Sequence, residues 1–551
     1  MGRTTRTCKL ALIFALASAA APAWARVHFL RSGATTFVVA RAAAEAGDAR
    51  RAATLYASLA AADPSDRVAA ARALGQAILA GDMPLALRLA RSQPRDGMAV
   101  EARMLLAADA LRDRRAQEAT SGWPPELGFV KPYVEAWTLA ERGRWSDAVK
   151  LLDARPAGDL TPSLVAEHKA LILLAAGRTR EAQPFIAPAL AGAKGRANRL
   201  RIAFASGLMA RGEGDAARAL LSGTDPALRM ASVSLAAERR PRPVIATAAE
   251  GFAELLTALA LGLDEDDPRP LRLSLVQVAR YADPHSDQGA LLAGLLLDRS
   301  GRSDDALAVL RGVPDGSPFQ PDARDAEVRV LLGAKRNEEA LARARAFVER
   351  EREGAADWMR LGDVLNATKR HGEAADAYAS AAAAIQAGEP GPEPWSIHLL
   401  RGAALEQADR WPEAERALEL AYKLAPDNPS VLNYLGYARL ERGEQLGEAE
   451  ALIAEASRRA PDDASITDSL GWAQFKQGKV AEAIATLQRA AAADPAQAEI
   501  HEHLGDALYA AGRKYEARFA WNAALVTAED DVRQRLAAKV AAGLSPATAA
   551  P

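Results

Sequence analysis

The 551-residue chain contains one cysteine, Cys8. It lies ahead of an apolar run near the start, and a lipid-attachment cysteine would follow such a run. If that leading segment is removed, no cysteine remains. Disulfides, thiol nucleophiles and cysteine-ligated metals are then excluded together. Aromatic residues make up only 5% of the chain, and runs of Val, Ile, Thr and Tyr that would build strands are nearly absent. Beyond the leading segment, every apolar stretch is interrupted by charge, so no membrane span is expected. Neither sign of charge dominates, with 69 basic and 71 acidic residues. No basic stripe with interleaved aromatics occurs, which argues against a nucleic-acid partner. The acidic run Asp264–Asp267 and the basic run Arg239–Pro243 both meet prolines between helical stretches and read as solvated loops. Phosphate loops, dinucleotide glycine motifs and nucleophile elbows are missing too.

What is present begins with an export layout. Arg3, Arg6 and Lys9 precede the apolar run Leu10–Ala20, then Pro22 and the small-x-small triplet Ala23-Trp24-Ala25. The run is too short to cross a bilayer, and the three parts together match a secretory signal peptide. Residues 1–25 are therefore expected to be removed after Ala25, leaving a periplasmic or secreted chain that starts at Arg26. Hydrophobic residues form 49% of the sequence, with alanine prominent among them. Alanine is the best helix former and permits close helix contacts, so most of the chain should be helix.

A repeat organises the second half. Gly402, Gly436, Gly471 and Gly505 are spaced by 34, 35 and 34 residues. Each is followed by two alanines seven apart: Ala414 and Ala421, Ala449 and Ala456, Ala483 and Ala490, Ala517 and Ala524. Large apolar residues fall between them at Leu418, Ile453, Leu487 and Trp521, and Pro426, Pro461 and Pro495 close three units. Leu361, Gly362, Ala374, Tyr378 and Ala381 make an earlier unit, and Gly294, Gly301, Ala306 and Leu310 a looser one. Small residues at fixed points let two antiparallel helices approach, large ones fill the remaining space, and proline ends the second helix. In the first half only a glycine-to-alanine spacing persists: Gly47/Ala52, Gly81/Ala86, Gly143/Ala148, Gly177/Ala182 and Gly212/Ala217.

This pattern resembles the tetratricopeptide repeat, a 34-residue helix-turn-helix unit. The resemblance implies an all-α fold: a right-handed superhelical solenoid of antiparallel helix hairpins. The expected division is a signal peptide (1–25), divergent helical repeats (26–265), a repeat array (266–527), and a capping helix with a disordered tail (528–551). The capping helix rests on the stripe Val532, Leu536 and Val540.

Nothing in the sequence implies a cofactor or a metal. His501 and His503 are two apart on a helix and point in different directions, so they make no metal pair; His398 and His501 fall where repeats pack. The chain is accordingly expected not to be an enzyme, a hydrolase with a cryptic site being the remaining catalytic alternative. The family resemblance implies a protein or peptide partner held on the face of the first helices. Carried onto this sequence, the groove positions are Asn433, Tyr437 and Leu440, then Asp468, Trp472 and Phe475, then Glu502, Asp506 and Tyr509. Aromatic anchors beside polar groups are what binding hot spots contain. The stretches Leu432–Tyr437, Asp468–Trp472 and His503–Ala517 further resemble bacterial envelope proteins of this class, some of which are outer-membrane lipoproteins that bind a carboxy-terminal processing protease. The missing lipid cysteine departs from that pattern. An adaptor for an envelope protein is the leading expectation, and a secretion or assembly factor for an exported polymer the second.

Overall fold

A computed structural model describes residues 33–94, 97–154, 162–223, 225–237, 244–263, 270–349, 354–389 and 391–550. The expected signal peptide and the two charged loops lie outside these residues. Every regular element among the described residues is a helix. The chain forms two compact units, Met1–Lys335 and Arg336–Pro551.

In the second unit the repeat pattern becomes geometry. Helices pair as antiparallel hairpins: Ala355–Ala367 with His371–Gln386, Pro394–Gln407 with Trp411–Leu424, Pro429–Glu441 with Leu446–Arg459, Ala464–Lys476 with Val480–Ala493, and Ala498–Ala510 with Lys514–Thr527. The glycine of each first helix faces the large residue of its own second helix. A Cβ on Gly362, Gly402, Gly471 or Gly505 would come within 2.4–2.6 Å of Tyr378, Leu418, Leu487 or Trp521 respectively. At Gly436 it would meet Ala449 and Ile453 at 2.8 Å. These distances leave no room for a side chain, so glycine there is dictated by helix approach. The paired alanines, Ala414 to Ala524, are all fully buried. Asn428 and Asp463 cap the helices that follow Pro426 and Pro461. In the 35-residue unit the extra residue is absorbed at Gln445, which adopts φ +47° ahead of helix Leu446–Arg459.

The first unit also consists of hairpins. Its turn glycines Gly47, Gly81, Gly143, Gly177 and Gly212 all adopt φ between +72° and +79°. The alanine five residues after each is fully buried. This unit departs from simple nearest-neighbour stacking, however. Helices Ala248–Gly262 and Leu271–Ala282 pack against Lys131–Glu141, Val100–Arg112 and Arg67–Leu79, far earlier in the chain. Gly251 lies flat on the Trp137 indole, where a Cβ would fall 2.2 Å from the ring. The Tyr281 hydroxyl donates to Asp109 at 3.0 Å, and Gln277 donates to the Leu79 carbonyl at 3.4 Å. Beneath this junction Glu167 receives two bonds from Arg196, at 2.8 and 2.7 Å, and Glu254 lies 3.2 Å from the same guanidinium.

Candidate functional site: the first-helix face of the second unit

The nine residues assigned from sequence lie on three successive first helices, Pro429–Glu441, Ala464–Lys476 and Ala498–Ala510. These helices abut side by side, so corresponding residues become neighbours. The resulting face is not an open aromatic strip, and several assignments require correction.

Trp472 is 1% exposed. Its indole stacks on the His503 imidazole of the next repeat, with centroids 4.1 Å apart, and on Phe475 at 5.0 Å. Its Nε1–H donates to Glu441 at 3.1 Å. It is a packing residue between repeats, because the neighbouring first helix supplies a flat ring at indole height. Leu440, 2% exposed, belongs to the same core. Asn433, Tyr437, Phe475 and Tyr509 are half-buried. Burial together with Glu441, Glu499, Asp468 and Glu406 pushes the Tyr437 hydroxyl well above its usual range. The Oδ1 atoms of Asn433 and Asp468 are buried without a hydrogen-bond donor.

Glu502 and Asp506 are consumed by the chain itself. Helix Asp530–Ala542 follows the last hairpin and brings Leu536, fully buried, into its core. One turn later Lys539, also fully buried, places Nζ 2.6 Å from Glu502 and 2.8 Å from both oxygens of Asp506. Arg535 adds two bonds to Glu502 at 2.8 Å. Burial alone would raise the Glu502 carboxyl, but these two cations outweigh it and hold it below its usual range. Asp506 also accepts the Trp521 Nε1–H at 2.9 Å.

The segment beyond the last helix, expected to be disordered, is packed. Gly543, at φ +91°, lies against Tyr509, where a Cβ would fall 2.3 Å from the hydroxyl oxygen. Ser545–Ala549 makes a single turn, with Thr548 and Ala549 N–H donating to the Ser545 carbonyl at 3.0 and 2.9 Å. The Ala550 N–H donates to Asp506 Oδ2 at 2.9 Å, and its methyl joins the cluster of Leu440, Ala449, Ile453, Trp472 and Ala473. Small residues and a proline read as disorder in sequence, yet small size is what the seat admits.

His503, which the sequence marks only as making no metal pair with His501, packs between repeats. It is fully buried and its Nδ1 lies 2.9 Å from Asp468. Burial would lower its pKa, but Asp468, Glu499 and Asp506 outweigh that and raise it. The sequence signal for this contact is the 35-residue offset of His503 from Asp468, one repeat apart. His398 is buried, with Nδ1 unpaired. His501 meets the Pro495 carbonyl at 3.1 Å. Among the described residues no group of three or more His, Cys, Asp or Glu could hold a metal, and no helix is long and apolar enough to cross a membrane. A cavity of about 930 Å³ opens between the second helices Trp411–Leu424 and Leu446–Arg459, beside the 35-residue unit. Its Arg439 is already paired with Glu415 and Glu419.

Two segments, residues 326–392 and 469–532, match the tetratricopeptide repeat family model. Those segments are tetratricopeptide repeats. They contain the units at Gly362, Gly471 and Gly505, and together span less than half of the chain. No curated protein matches the chain. Among solved structures, a tetratricopeptide repeat protein from Parabacteroides merdae is 15% identical, covering 46% of this chain and 97% of its own, with a TM-score of 0.38. Yeast Tom70 is 11% identical over 93% of this chain and 95% of its own, at 0.38. The Cut9 complex with Hcn1 is 15% identical over 94% and 98%, at 0.37. Scores this low carry nothing about function, which rests on the geometry of the chain itself.

Proposed function

We propose that this protein is a non-enzymatic scaffold that holds a peptide segment of a protein partner on the first-helix face of its second unit. The observation that carries the reading is the seating of Gly543–Ala550 on that face, with a main-chain N–H bound to Asp506. A surface that accepts a non-helical segment in cis has the chemistry to accept one in trans. The signal-like layout of residues 1–25 supports export, and the resemblance of the repeats to envelope adaptors supports an envelope protein, such as a protease acting on cell-wall enzymes, as the client. Two measurements test this. N-terminal sequencing of the protein recovered from a periplasmic fraction should begin at Arg26; a retained Met1 refutes export. Capture from periplasmic extract should retain an envelope protein that is released by excess peptide of sequence Gly543–Pro551. Retention of nothing, or retention indifferent to the peptide, refutes the scaffold reading. Recovery of a polymer-export component instead of a protease would move the role to secretion or assembly.

A further inference from the structure

We propose that Gly543–Ala550 is a displaceable occupant of the first-helix face, and that the partner segment it stands in for is turned, free of acidic side chains and small where its two ends meet the face. The inference rests on that face being a binding surface, as argued above.

Three observations define the chemistry of the seat. At one end Asp506 receives the main-chain N–H of Ala550, so recognition there is of backbone and tolerates many sequences. In the same place a methyl group enters the cluster around Leu440 and Trp472, leaving Ala550 5% exposed. At the other end Tyr509 covers Gly543 so closely that no side chain fits, and the backbone adopts φ +91°. The seat thus reads a small residue at each end and a backbone donor between its walls.

Charge narrows the class further. Glu406, Glu441, Asp468 and Glu499 all act on the Tyr437 hydroxyl of this face. Beside the Ala550 end, Lys539 and Arg535 are committed to Glu502 and Asp506, while at the Gly543 end Lys514 lies over the Tyr509 ring at 5.4 Å. An acidic residue at the Ala550 end would meet the Asp506 carboxylate with its cation already engaged. Ala, Ser, Thr, Pro and Gly carry no such penalty.

The hold is also light. Between its anchors the segment exposes Ser545, Pro546, Ala547 and Ala549. Its remaining hydrogen bonds run from the Gly543 N–H back to the Lys539 carbonyl at 2.8 Å and within the turn at Ser545 and Thr548. Lifting residues 545–550 breaks one bond to the repeats and uncovers one methyl-sized contact, while Leu544 stays packed against the core of the last hairpin. Helix Asp530–Ala542 stays in place through Lys539 and Leu536.

The test compares the full chain with a chain stopping at Leu544, both checked by circular dichroism for equal helicity and melting. A fluorescein-labelled peptide Ser545–Pro551 is titrated into each, to millimolar concentration, and followed by anisotropy. The shortened chain should bind the peptide at least ten-fold more tightly than the full chain does. A peptide carrying Ala550→Asp should lose that binding. Should the shortened chain fail to fold, Ala550→Asp in the full chain opens the seat without deletion and should give the same gain. Equal peptide binding to open and full chains overturns cis occupancy, and the scaffold reading survives it if envelope capture still succeeds. A folded, open chain that binds neither peptide nor envelope protein overturns both. Tight binding of the Ala550→Asp peptide would refute the size and charge rule.

Discussion

Lys539→Met removes one ammonium from a site with no solvent while keeping an unbranched stem of similar length. The consequence can be worked out from its partners. Glu502 loses one bond of 2.6 Å but retains Arg535 in a two-bonded arrangement. Asp506 loses both of its charged contacts and keeps only two neutral donors, the Trp521 indole N–H and the Ala550 N–H. A fully buried carboxylate is then left without a counter-charge. Breaking a buried ion pair from one side costs about 3–5 kcal/mol, most of it from the stranded charge. Because Arg535 protects Glu502, the lower end, about 3 kcal/mol, is expected. Stability in stacked hairpins is local, so the loss should concentrate in residues 498–550. Equilibrium urea unfolding combined with hydrogen exchange over that region measures it. The double variant Lys539→Met with Asp506→Asn should recover at least about 1.5 kcal/mol, because the stranded charge is gone. A loss below about 1 kcal/mol for Lys539→Met, or no recovery in the double variant, would refute the argument.

Trp472→Ala should act on folding, since the indole is buried between His503, Phe475 and Glu441; a loss of about 3–5 kcal/mol is expected by thermal or urea unfolding, and near-wild-type stability would return Trp472 to the binding surface. The two units should answer pH in opposite senses. His168, fully buried with its Nδ1 accepting the Trp137 indole N–H at 2.9 Å, has its pKa lowered to about 3 by burial and then by Arg196. Its neutral form is the folded one, so its contribution is complete above pH 6.5 and declines as pH falls towards 3, by up to about 4 kcal/mol. His503 is raised, so its contribution is complete below pH 6.5 and fades as pH climbs through the higher folded value. Hydrogen exchange resolved by unit, at pH 5.5 and pH 8, should show protection around His168 weaker at the lower pH and protection around His503 weaker at the higher; the same direction in both would refute the assignments.

The hairpins of the second unit were legible because their determinants are local. Gly402 and Leu418, or Gly505 and Trp521, lie within one repeat, and their spacing alone encodes close helix approach. The face was less legible because its contacts join repeats. Trp472 reads as an exposed anchor until His503, one repeat later, stacks on it. Glu502 and Asp506 read as free acids until Lys539, outside the repeat pattern, neutralises them. The first unit hides more again. Its Tyr281–Asp109 and Gly251–Trp137 contacts join helices more than a hundred residues apart, and no periodicity records such pairings. The segment after Ala542 misled through composition: alanine, serine and proline lack the bulk to build a core, yet they fit one that already exists.

The short link from Lys539 to Ala550 sets a threshold for any competitor. A segment tethered a few residues from its seat meets it at an effective concentration in the millimolar range. A free peptide making only the same contacts would therefore need to be present at comparable concentration to win. A client of the proposed kind would succeed at cellular levels by touching the repeats at a second place, or by presenting several copies of the segment at once. Under the proposed function, recognition on this surface would favour partners that arrive with more than one point of attachment, and an isolated fragment would compete only in millimolar excess.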